Sequence, residues 1–195
     1  MKTILAIFLL TMAFGTAALA QDPVIDLYSA PKAEEIKEFV SESGKFKASF
    51  AGDPKTKLNP EQPGFAAYYL TRSGSNSSVT VNQFGADTAK QKDTIYKYVK
   101  DSLLKLPEAT IISETDFQVG SYSGKEIAMT YDKGGYYTRV RVLPAGKKIF
   151  EIKIDVVNWH MMKENHKKEF EAEAQRFFDS FKLTDDKGKK PEKTN

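Results

Sequence analysis

Residues 136–156 constrain the fold of this chain more than any other stretch. Tyr136, Thr138, Val140 and Val142 fall on one side of an alternating run, and Phe150, Ile152, Ile154 and Val156 do so on the next. Alternation with period two marks strands that bury one face. Pro144-Ala145-Gly146 supplies the turn between them. A slip of one residue would carry a whole apolar set to the other face, so matching the two sets fixes the pairing. With a three-residue loop that matching sets Arg141 opposite Glu151, an ordinary cross-strand ion pair.

The same reading extends in both directions. Phe46, Ala48 and Phe50 alternate with Lys45, Lys47 and Ser49 after the Ser43-Gly44 turn, and Gly52-Asp53-Pro54 ends that strand. Glu38-Phe39-Val40 opens the core before it. A polar loop to Gly64 is expected next, then a hairpin of residues 66–70 with 78–84 around a Ser/Gly/Asn turn. Ile95, Val99 and Leu103 recur every fourth residue, which predicts an amphipathic helix over 90–105 stopped by Pro107. Short strands follow at 110–113, 116–119 and 126–131. A long helix begins near Met162, with Phe170, Ala174, Phe177 and Phe181 as its buried stripe. The order predicts an α+β fold, a mostly antiparallel sheet covered by helices.

The first 20 residues say where such a domain works. Lys2 gives a positive start, residues 4–14 are apolar, and Ala18-Leu19-Ala20 ends the stretch as a cleavage signal before Gln21. That is the pattern of a secretory signal peptide, and nothing later approaches the roughly 20 apolar residues of a membrane span. The expected organisation is a signal peptide at 1–20, a leader at 21–37, one domain at 38–183 and a polar tail at 184–195. Export is therefore expected, to the periplasm or outside the cell. The Asn76-Ser77-Ser78 sequon would carry a glycan only in a eukaryote. The chain has no cysteine, which excludes disulfides, thiol chemistry and cysteinyl metal sites. Twenty-nine basic and 26 acidic residues give a net charge of +3, too near neutral for a nucleic-acid binder.

Three stretches resemble a known group. Gly44 to Pro54 resembles the opening strand of a set of small bacterial exported proteins, departing at Ala51, where the group has proline. Phe177-Phe178-Asp179-Ser180-Phe181-Lys182-Leu183 resembles their closing segment, and residues 137–142 with 148–152 are similar to their arginine-bearing hairpin. The resemblance is to the Mog1/PsbP-like fold, a sheet sandwiched by helices, over roughly Glu38 to Leu183. It implies a scaffold for accessory or binding roles and brings no catalytic motif.

The candidate chemistry is sparse. His160 and Glu164 lie one helical turn apart, but His166 is off that face and nothing resembles H-E-x-x-H. Gly120-Ser121-Tyr122-Ser123-Gly124 spaces its glycines wrongly for a nucleophile elbow. No phosphate-cradling loop is present. No catalytic residue, metal ligand or cofactor is therefore expected. The binding candidates are Tyr137, Arg139 and Arg141 on one strand face, a composition suited to recognition, and Trp159 beside Met161 and Met162. A helix covering that face, with the arginines paired to Glu151 or Asp155, is the competing expectation. The function expected is an exported, non-enzymatic binding or accessory module for an envelope protein or small ligand. A hydrolase without a linear motif and a carrier of lipid or another apolar ligand are the alternatives.

Overall fold

The structure, a computed structural model, describes Tyr28, Ala30, Lys32 and residues 35–59, 64–70 and 74–184. The expected signal peptide, most of the leader and the tail from residue 185 lie outside the described residues.

Strands β1 (Lys37–Ser41), β2 (Phe46–Phe50) and β10 (Lys182–Leu183) form a small sheet in the order β1-β2-β10. The main sheet takes β3 (Lys55–Asn59), β4 (Gly64–Leu70), β5 (Ser75–Gln83), β6 (Thr110–Val119), β7 (Tyr122–Tyr131), β8 (Tyr136–Ala145) and β9 (Lys148–Val157). Its order is β3-β4-β5-β9-β8-β7-β6, antiparallel throughout. Helix α1 (Lys92–Leu103) packs Ile95, Val99 and Leu103 on one face, against Ile127, Met129, Val140 and Val142. Helix α2 (Glu164–Ser180) and the small sheet cover the other, where Phe46, Phe50, Phe170 and Phe178 meet Phe150, Ile152 and Ile154. This is the expected α+β architecture, a mostly antiparallel sheet between helices.

Local chemistry explains the joints. Between β1 and β2 the Gly44 N–H donates to Ser41 Oγ at 2.9 Å, and a Cβ on Gly44 would lie 2.6 Å from that oxygen and 2.7 Å from the Phe46 ring. Only glycine fits there. A 3-10 turn at Thr88–Gln91, capped by Asp87, leads into α1. The Thr88 hydroxyl lies 3.0 Å from the carbonyl of Gly146 and 2.8 Å from that of Lys148, tying α1 to the β8–β9 turn.

Several expectations need correction. Residues 55–59, expected as loop, pair with β4 as the edge strand β3. The stretches 110–113 and 116–119 are one strand, β6, interrupted only by a bulge between Ile111 and Ser113. Helix α2 starts at Glu164, after a 3-10 turn at Trp159–Met161. Most consequential is the β8–β9 hairpin. Ala145 pairs with Lys148, so the loop is the two residues Gly146-Lys147, with Gly146 at φ 58°. Glycine leading a two-residue loop is a favoured hairpin turn. The register moves by one: Arg141 faces Ile152, and Glu151 faces Val142. The expected Arg141–Glu151 pair does not form. Its premise fails because both sheet faces are covered: β8 turns Val140 and Val142 toward α1, while β9 turns Ile152 and Ile154 toward α2. Matching apolar sets across a hairpin is decisive only when one face is bare.

Gly124 of β7 tests this packing. A Cβ there would stand 2.3 Å from the Phe117 ring and 2.7 Å from the Val142 carbonyl oxygen. Gly124→Ala is expected to lower the unfolding free energy by about 1–3 kcal/mol in a urea titration.

Candidate functional site

The corrected register sends Tyr137, Arg139 and Arg141 to the α2 side of the sheet. Antiparallel pairing with β7 sets Glu126 directly across from Arg141. Glu126 Oε1 receives Arg139 Nε at 2.7 Å, and Oε2 receives Arg141 Nε at 2.6 Å. Glu126 is 7% exposed, and its two oxygens serve two guanidinium groups. From above, α2 contributes Glu171, whose Oε2 accepts from Arg139 Nη1 at 2.8 Å, and Gln175, whose Oε1 lies 3.3 Å from Arg139 Nη2. The Phe178 ring centre is 4.4 Å from the Arg141 guanidinium and 5.1 Å from that of Arg139, while Phe117 flanks Arg141 at 4.8 Å. Burial works against the charge on Arg139, but Glu126 and Glu171 outweigh it and hold its pKa above the ordinary value. The covering helix of the competing expectation is present, with Glu126 and Glu171 as the partners in place of Glu151 and Asp155.

Tyr137 is 5% exposed and stacks on Trp159 at 4.2 Å between ring centres, 17° from parallel. Phe170 meets both rings edge-on, and Lys167 sits over Trp159 at 5.4 Å. Trp159 keeps part of its surface in solvent. Its 3-10 turn is fixed by two backbone bonds, from Trp159 N–H to the Gly135 carbonyl and from His160 N–H to that of Gly134, both 3.1 Å. Asn158, at φ 60°, directs the chain into that turn. The structure thus brings all four predicted residues to the α2 side, with the arginines along the strand and Trp159 at its end.

The β7–β8 turn gathers more than the sequence singled out. Asp132 N–H donates to the Pro107 carbonyl at 2.7 Å, which draws the α1–β6 connection to the same end. Tyr131 and Tyr136 stack there at 4.7 Å, 3° from parallel. Burial and the nearby Asp155 hold the Tyr131 phenol well above its ordinary pKa. Met161 is 49% exposed and Leu104, just after α1, is 46% exposed. This end combines stacked aromatics with open aliphatic groups.

Sequence reasoning also missed Glu173 of α2, 6% exposed, which accepts from Tyr28 Oη at 2.5 Å and Ser75 Oγ at 3.1 Å. Burial raises its pKa. Glu126 and Glu173 carry no linear signal, because their partners lie on other strands or far off in the chain. Among the described residues no group of three or more His, Cys, Asp or Glu could hold a metal ion.

No family model matches this chain, and no curated protein matches it. Its fold is Mog1/PsbP-like. The solution structure of cyanobacterial PsbP (CyanoP) from Synechocystis sp. PCC 6803 superposes with a TM-score of 0.50 at 12% identity, over 76% of this chain and 92% of that one. The Ran-binding protein Mog1p of Saccharomyces cerevisiae gives 0.47 at 12% identity, over 77% and 96%. LpqN of Mycobacterium tuberculosis, involved in cell envelope biogenesis, gives 0.41 at 13% identity, over 80% and 82%. At such identities the likeness concerns the fold.

The arginine cluster makes an asymmetric prediction. Glu126→Gln leaves two guanidinium groups under α2 without their shared anion and is expected to cost about 3–5 kcal/mol. Replacing Glu126, Arg139 and Arg141 together by Met should cost far less, because the one charge left without its partner, Glu171, is partly exposed to water. Urea unfolding of both variants checks the contrast.

Proposed function

We propose that this chain is an exported, non-enzymatic binding module that docks a protein partner through the β7–β8 end of its main sheet. Export rests on the signal-peptide pattern of residues 1–20. The observation that carries the docking surface is the Trp159–Met161 turn. It presents a half-exposed methionine on a turn already fixed by two backbone hydrogen bonds and an aromatic stack. A contact element held in one conformation loses little entropy on binding, and Trp and Met are enriched in the centres of interfaces. Leu104 and the Tyr131–Tyr136 stack lie at the same end of the sheet, on its α1 side.

Tyr137, Arg139 and Arg141 serve that surface from below. Tyr137 supports the Trp159 ring, and the arginines hold α2, which follows directly on the turn. The carrier alternative would need an apolar cavity between sheet and α2. Phe46, Phe50, Phe150, Phe170 and Phe178, each at most 2% exposed, occupy that layer. The buried carboxylates on the α2 side give the hydrolase alternative no support. Glu126 and Glu173 are engaged by arginine, tyrosine and serine inside the protein.

Native mass spectrometry of the protein recovered from its own cells tests this. The wild-type chain is expected to carry a protein-sized addition. The Met161→Asp/Leu104→Asp variant should lose it while keeping a cooperative thermal transition, since about half of each side chain already faces solvent. A partner retained by the variant, or an addition of small-molecule mass only, contradicts the proposal.

A further inference from the structure

The opposite end of β8 and β9 carries a different site. There the β8–β9 turn meets the β1–β2 turn and β10 around a cavity of about 200 Å³. Ala145, Phe150, Leu183 and the ring of Tyr122 give it apolar walls, and Lys45, Gln83, Lys147 and Lys148 give it polar ones. Two contacts hold the walls together. Lys148 Nζ donates to the Gly44 carbonyl at 3.1 Å, and Thr184 N–H donates to the Lys45 carbonyl at 3.1 Å. Lys147, at the second position of the two-residue loop, is exposed. Among the described residues, the side chains of Lys147, Gln83 and Tyr122 have no hydrogen-bond partner.

We infer that this cleft binds a carboxylate carried on a short apolar group. The three available side chains can all donate, and one is a cation, so the polar side of the cleft suits an anionic acceptor. The apolar side suits a few carbons behind that anion. The volume sets the size, since about 200 Å³ lies below the roughly 300–1,000 Å³ typical of whole small-molecule ligands. A short carboxylic acid or the last residue of a peptide fits it. Phosphate, which takes donors on every side, would leave the Phe150 and Leu183 wall unused. The site is independent of the proposed partner surface, from which it is separated by the length of β8.

The test is an amide-resolved NMR titration of the full chain with hexanoate and with acetyl-Ala-Leu bearing a free carboxylate. Acetyl-Ala-Leu carboxamide and inorganic phosphate serve as controls. Both carboxylates should give saturable shifts at Gln83, Lys147 and Lys148, and neither control should. Lys147→Gln and Tyr122→Phe should each weaken binding by about fivefold or more. Tighter binding of the dipeptide would identify a chain end as the source of the carboxylate, and tighter binding of hexanoate a free acid. Equal saturation by phosphate or by the carboxamide, no saturation by either carboxylate, or unchanged affinity in Lys147→Gln would overturn the assignment.

Discussion

The seating of α2 on the arginine-bearing strand depends on one buried carboxylate. Glu126 faces two arginines on the neighbouring strand, and its two oxygens answer both of them. Arginine is rarely buried without a partner, so β8 can turn Arg139 and Arg141 toward α2 only because β7 presents Glu126 at the matching register. Helix α2 completes the cage with Glu171, Gln175 and the Phe178 ring. The polar network thereby specifies where the helix lies on a sheet whose other contacts are mostly phenylalanine. A buried network of this kind adds little over a well-packed apolar replacement but is costly to break at one member.

Much of the architecture was legible because its periods are strong. The alternation in Phe46–Phe50 and the four-residue recurrence of Ile95, Val99 and Leu103 each correspond to a buried face of the expected element. The hairpin register escapes the sequence for a physical reason. Where a sheet is covered on both sides, a strand's apolar set identifies a face without saying which layer lies against it. Val140 and Ile152 are both buried, yet they point to opposite layers. Polar β3 carries no strand signal, because an edge strand needs no buried side. The residues that anchor the arginines were invisible for a different reason. Glu126 and Glu171 lie 13 and 32 residues from Arg139, so only the tertiary fold brings them together.

The functional reading follows from what this interior consumes. The strand face that composition marks for recognition is occupied from within, and its chemistry serves the helix and the Trp159 turn. The two ends of the main sheet differ in character. One offers Met161, Leu104 and stacked tyrosines. The other offers a small cleft with lysine and tyrosine donors over an apolar floor. Loops at the ends of a rigid sheet are free to vary without disturbing the core, which is where binding residues commonly sit.

The most direct test is a set of long-range nuclear Overhauser contacts across β8. The account predicts cross-strand contacts of Val140 with Lys153 and of Arg141 with Ile152, together with contacts from the Arg141 guanidinium protons to the Phe178 ring. Contacts of Arg141 with Glu151, and guanidinium protons that exchange freely with water, would return the arginines to the surface and contradict it.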